Sequence, residues 1–106
     1  MKATNNYLNI LGIATRARKC TFGEEQIIKE IQSRKAKVVL IASDIGIQTK
    51  KKLTDKCTFY NIPFIFIDDR DTLSQAVGKI GRVAVSINDS GFAKKIMELL
   101  TNNYRG

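Results

Sequence analysis

Lys37-Val-Val-Leu-Ile-Ala-Ser43 is the stretch that decides the fold. Its five successive apolar residues read as a strand buried on both faces, in the middle of a sheet packed between helix layers. Upstream, the periodicity turns helical. Thr4 is the expected N-cap of a first helix that sets Tyr7, Leu8, Leu11 and Ala14 on one face. A short extended piece, Cys20 to Phe22, leads through Gly23 into a second helix with Ile27, Ile28 and Ile31 inward.

Downstream, a third helix is expected from about Gln48 to Tyr60, burying Leu53, Cys57 and Tyr60 and exposing Lys50, Lys51, Lys52 and Lys56. Pro63 opens a strand from Phe64 to Ile67, where a first residue without an N–H donor is tolerated. Thr72 with Gln75 forms a capping-box pattern ahead of Leu73, Ala76, Val77 and Ile80. Arg82 to Ile87 is the last strand, and the final helix presents Phe92, Ile96, Leu99 and Leu100 at helical spacing. The order α-β-α-β-α-β-α-β-α predicts an α/β fold with helices on both faces of a small central sheet of about four strands.

At 106 residues the chain has the size of one domain, and no repeat or linker divides residues 1–106. Counting excludes several chemistries. There is no His, which removes a His-dependent triad, a His metal site and a His proton shuttle. Cys20 and Cys57 stand far apart and outside any C-x-x-C, so neither a structural zinc site nor a disulfide scaffold is expected. No apolar run approaches a membrane span and no signal-peptide pattern opens the chain. A reduced, soluble, cytoplasmic protein is the expectation.

Charge is the first positive clue. Eighteen Lys and Arg against ten Asp and Glu leave +8. Met1 to Lys56 carries twelve basic and five acidic residues, whereas Cys57 to Gly106 carries six and five. A pI near 9.7 with the excess gathered in one half is the electrostatic footprint of a nucleic-acid binder, although a solubilising surface has the same sign.

Enzyme signatures do not accompany it. Asp44, Asp68, Asp69 and Asp71 follow strands, where paired carboxylates could hold Mg²⁺, yet Asp is also a common turn former and helix N-cap, the stronger reading here. No Gly-rich phosphate loop occurs, so no cofactor and no small-molecule substrate are expected.

The second informative stretch runs from Arg16 to Lys29. Gly23 stands where strand gives way to helix, so the first N–H groups of that helix lack intrahelical partners and carry the positive end of its dipole. Such a terminus binds phosphate oxygens or other nucleic-acid acceptors. Lys29 lies about one turn on, and Arg16, Arg18, Arg34, Lys35 and Lys37 extend the positive field. Equally, Glu24 and Glu25 could satisfy the dipole, with Glu25–Lys29 as an i,i+4 pair. The residues leave both readings open.

These pieces resemble a known family. Leu8-Asn-Ile-Leu-Gly-Ile-Ala-Thr-Arg-Ala-Arg18, Gly23 to Lys29, Lys35 to Asp44, Thr49 to Cys57, Asn61-Ile-Pro-Phe64 and Gly91-Phe-Ala-Lys-Lys-Ile96 are similar, in order and spacing, to the kink-turn-binding ribosomal-protein family named for ribosomal protein L-seven-A-e. The resemblance is closest to its small bacterial YlxQ-type branch. It implies a three-layer α/β/α sandwich with a mixed sheet and a non-enzymatic, ribosome-associated RNA binder.

In that family a glycine and the first turn of the next helix meet the sheared G·A pairs beside the RNA bend. The pattern is Gly, any residue, Asn, Glu, two residues, Lys. It falls on Gly23, with Glu24 as the free position, then Glu25, Gln26 and Lys29. Gly23 and Lys29 match, and Gln26 keeps the length and one carbonyl acceptor of Glu. Glu25 departs from Asn: an ionised carboxylate donates no hydrogen bond and is repelled by phosphate.

The family's second contact is an apolar loop touching a flipped-out base. It falls on Gly78-Lys-Ile-Gly-Arg-Val83, giving that role to Ile80 and Val83 beside basic Arg82, with Ile80 equally readable as core. Two other functions stay open. One is an RNA substrate-binding module like the accessory domain of RNA ribose methyltransferases; the other is a protein-interaction module.

Overall fold

The computed structural model describes residues 4–105, with side chains described from 7 to 101. Helices and strands alternate as expected. In chain order they are α1 (Thr4–Arg16), β1 (Cys20–Thr21), α2 (Glu24–Gln32), β2 (Val38–Ala42), α3 (Ile47–Tyr60), β3 (Phe64–Ile67), α4 (Arg70–Val77), β4 (Ala84–Ile87) and α5 (Ser90–Arg105). The side chain of Thr4, the expected first cap, lies outside the described residues.

Strand β2 is buried along its whole length, and its alternation builds both cores. Val38, Leu40 and Ala42 pack with Tyr7, Leu11, Leu73 and Ile96 of α1, α4 and α5. Val39 and Ile41 turn the other way, against Ile27 and Ile31 of α2 and Leu53 and Cys57 of α3. A period of two along one strand thus faces two helical layers, and each such side chain contributes about 1.5–3 kcal/mol on burial. The sheet order is β1-β4-β2-β3. Strands β2 and β3 are parallel, joined by a crossover through α3, while β4 runs antiparallel to both β1 and β2. The fold is a mixed-sheet α/β/α sandwich.

Three details differ from expectation. Strand β4 starts at Ala84 and not at Arg82, because Ser74 Oγ takes the Arg82 backbone: it accepts from Arg82 N at 3.0 Å and donates to Arg82 O at 3.3 Å. The cap of α4 is Asp69, whose carboxylate accepts from Thr72 N at 2.8 Å, which places Thr72 inside the first turn. A carboxylate at the positive helix end outcompetes a hydroxyl. Gly78, left-handed at φ 71, ends α4 before Ile80, which is 97% exposed and therefore not core.

Tyr60 is half-buried. Among the described residues, no helix is long and apolar enough to cross a membrane.

Candidate nucleic-acid interface

The start of α2 is built on a backbone that only glycine adopts easily. Gly23 has φ 90 and ψ 133, and a Cβ there would meet nothing within 4 Å, so the backbone angle and not space demands glycine. No side chain caps the helix. The first intrahelical donor is Ile27 N, bonding Gly23 O at 2.9 Å. The N–H groups of Glu24, Glu25 and Gln26 therefore have no acceptor within the helix and present the positive dipole end.

Facing this start is the segment entering β4. Gly81, Arg82, Val83 and Ala84 share a cleft of about 160 Å³ with Gly23, Glu24, Ile27, Thr49 and Leu53. Phe22 holds the two sides together: the Arg82 guanidinium stands 5.3 Å from its ring centroid and the Lys79 ammonium 5.6 Å. Each such contact contributes about 0.5–1 kcal/mol at an exposed site. Arg82 Nε is buried without an acceptor among the described residues. Beyond Arg82, Ile80 projects into solvent between Gly78 and Gly81, both at positive φ. Val83 is half-buried, and its carbonyl accepts from Ala42 N at 2.8 Å.

Glu24 does not cap its own helix. Its Oε1 accepts from Thr49 Oγ1 at 3.1 Å and its Oε2 pairs with Lys52 Nζ at 2.8 Å, tying α2 to α3. The Lys52 hydrogen bond, seconded by Thr49, lowers the Glu24 pKa, and the same bond raises that of Lys52. The Glu25–Lys29 pair is not formed. Glu25, Gln26 and Lys29 are exposed, and none makes a side-chain hydrogen bond or ion pair among the described residues, although Glu25 adds to the field that raises the Lys52 pKa. The helix start thus brings together an open row of donors and three unengaged polar side chains.

Arg18 and Lys37 do not join them. Lys37 N bonds Ile87 O at 2.7 Å and Asn88 N bonds Lys19 O at 2.8 Å, at the far end of β4 from Ala84. Three strand steps of about 3.3 Å put that end roughly 10 Å from the cleft.

Three of the four carboxylates that might have suggested metal chemistry are engaged. Asp68 Oδ2 accepts from the Tyr7 hydroxyl at 2.6 Å. Asp44 Oδ1 accepts from Arg70 N at 2.9 Å, and Asp69 caps α4. No cluster of three or more His, Cys, Asp or Glu forms a metal set among the described residues. Burial raises the Cys57 thiol to about 11, and it raises that of Cys20 as well.

Sequence reasoning missed Phe22, Thr49 and Lys52 as builders of this cleft. Thr49 and Lys52 read as the polar side of an isolated helix, and nothing local says that α3 packs beside the α2 start. Phe22 had a signal, an aromatic directly before the glycine.

Comparison with known proteins fits this geometry. The RNA-binding protein YlxQ of Bacillus subtilis is 45% identical over 91 residues, spanning 86% of this chain and 91% of that protein. A solved structure of a protein with unknown function from Bacillus halodurans C shares 43% identity with a TM-score of 0.86, covering 90% of this chain and 96% of that one. The Giardia lamblia 15.5kD RNA binding protein, only 20% identical, superposes with a TM-score of 0.81 over 96% of this chain and 88% of its own, a likeness of fold. Residues 6–97 match the model of the ribosomal protein L7Ae/L30e/S12e/Gadd45 family, and the chain belongs to that family.

Proposed function

We propose that this protein binds structured RNA, recognising a kink-turn or a similarly bent element, as a non-enzymatic, cytoplasmic, ribosome-associated factor in which residues 1–106 act as one binding unit. The observation that carries it is the uncapped α2 start at Gly23 facing the Gly81–Ala84 segment across one cleft. Open N–H donors and the flanking cations suit anionic, acceptor-rich RNA better than a neutral ligand. The RNA-binding names of the relatives point the same way.

In this arrangement Gly23 and the donors after it meet the base pairs beside the bend, Gln26 offers a carbonyl, and Lys29 meets phosphate. Ile80, outside the fold's core, contacts an unstacked base with Val83 behind it. Arg18 and Lys37 contribute only long-range field.

A gel shift with a kink-turn RNA, against a control whose G·A pairs are replaced by Watson–Crick pairs, tests the proposal. Selective binding of the bent RNA is expected. If about four phosphates are neutralised, affinity should fall on the order of a hundredfold between about 50 and 200 mM salt. Equal affinity for both RNAs at physiological salt would reduce the interaction to non-specific charge.

A further inference from the structure

Phe59 is 75% exposed on α3, well away from the Gly23 cleft in sequence, and nothing in the fold requires an aromatic there. It is not an isolated apolar side chain. Its ring meets Tyr60 edge-on, with centroids 4.9 Å apart and planes at 76°. Tyr60 is itself held in place: Arg34 Nη1 donates to its carbonyl at 2.7 Å and the guanidinium stands 5.8 Å from its ring. The helix stops immediately after, with Asn61 left-handed at φ 60. Phe59 therefore presents a face on a fixed base.

The residues leading to it are cationic. Lys52, Lys56 and Phe59 follow i, i+4, i+7 spacing, so they lie in one row along α3. Together with Asp55 and Tyr60 they line one shallow cleft of about 410 Å³. Asp55 is the acidic member, and Lys51 neutralises it at 3.2 Å. Lys56 has no side-chain partner among the described residues, and Lys52 reaches back to Glu24 at the α2 start. The row thus begins at the RNA cleft and ends at an exposed ring. With about 1.5 Å of rise per residue, Lys52 to Phe59 spans roughly 10 Å, one to two nucleotides of extended strand.

We infer that α3 carries a second RNA contact, in which an unpaired segment leaving the bent element runs along Lys52 and Lys56 and stacks a base on Phe59. The inference rests on the proposed RNA binding at Gly23 for its starting point. Cations in line with an exposed aromatic are the general means of holding single strands without reading sequence, because every base has a π-face. The unpaired charge of Lys56 and the row's continuity with the Gly23 cleft through Lys52 favour RNA over a protein partner.

Three RNAs separate the possibilities: the bent RNA with flush arms, the same RNA with a four-nucleotide unpaired extension on either arm, and the extension as a free oligonucleotide. One extended form should bind the wild type about five- to tenfold more tightly than the flush RNA. Phe59→Ala should abolish that gain and leave flush-RNA binding unchanged, and Phe59→Leu, apolar but without a π-face, should behave likewise. Because the ring is exposed, neither variant endangers the fold, which circular dichroism would verify. Equal binding of flush and extended RNAs by the wild type overturns the inference, as does a gain that survives both substitutions. If the flush RNA does not bind at all, the reading of Gly23 fails by itself. The α3 contact then stands on Phe59-dependent binding of the free oligonucleotide at low salt, and falls if that binding ignores the substitution.

Discussion

Among the helices whose starts are described, the two layers begin in opposite ways. On one face of the sheet, α4 and α5 start behind Asp69 and Asp89, whose carboxylates accept from Thr72 N at 2.8 Å and Phe92 N at 2.9 Å. On the other face, α2 and α3 start behind Gly23 and Gly46, with no side-chain cap on either. A capped start uses its donors within the chain and serves stability. An uncapped start leaves them for water or a ligand, and this layer also carries exposed Lys29, Lys50, Lys51 and Lys52. The two glycines are not equivalent either. Gly46 sits at φ −62 and ψ 148, open to any residue, whereas Gly23 at φ 90 is not.

The largest effect should come from that last contrast. Gly23→Ala forces a side chain into a sparsely populated backbone region and should cost about 1–3 kcal/mol, read as a lower urea midpoint. Its RNA binding should fall as well, since relief of strain would turn the helix start. Gly46→Ala should be neutral or stabilising by about 0.4–1 kcal/mol. Equal losses at both positions would erase the distinction between the two starts.

Next come the side chains beside the open donors. Glu25→Asn restores a hydrogen-bond donor and removes a negative charge near phosphate, so kink-turn binding should tighten by roughly 1–2 kcal/mol. Lys29→Ala should weaken it by a similar amount. Neither side chain makes a hydrogen bond or ion pair among the described residues, so stability should stay within about 0.5 kcal/mol in both. Unchanged affinity in both variants, measured by titration, would remove α2 from the RNA site.

Element order and both cores were legible in the sequence because they follow from periodicity. Five apolar residues from Val38 to Ala42, too short a run for a typical helix and rich in β-branched side chains, read as a two-faced strand, and the structure buries all five. The break at Gly23 was legible because a glycine between a strand and a helix marks a change of backbone direction, and the structure gives it φ 90. Competition between local partners was not. Thr72 looks like a cap until Asp69, three residues earlier, takes the role, and Arg82 looks like strand until Ser74 takes its backbone. Tertiary neighbours were invisible for the same reason. The Glu25–Lys29 spacing suggests a pair on one helix, whereas the ion pair that forms joins Glu24 to Lys52 across two.

The capped layer offers a control of intermediate size. Asp69→Ala removes the acceptor of Thr72 N and should cost about 1 kcal/mol of stability. RNA affinity should not move, because α4's start belongs to the fold. A matching loss of affinity would show that the two layers are coupled and that the division between closed and open starts is too simple.

The smallest effect concerns Glu24, the first-turn carboxylate that bonds α3 and leaves its own helix uncapped. The Lys52 hydrogen bond lowers its pKa from the ordinary 4.5, so the folded state favours the charged form. Its contribution is therefore fully present above 4.5 and lost as pH falls through the lowered folded value. Lys52 behaves in mirror image, its raised pKa making its share present below 10.5 and lost as pH rises through the folded value. Between these limits the pair is constant, and solvent exposure keeps it weak. The stability difference between wild type and Glu24→Gln should accordingly be small and flat near neutrality, then shrink on acidification below the usual glutamate range. A carboxyl titration followed by NMR should place Glu24 below the ordinary 4.5. If Glu24 instead titrates at the ordinary glutamate value, the tie to α3 is not maintained in solution, and Glu24 is free to turn back onto the open donors of α2.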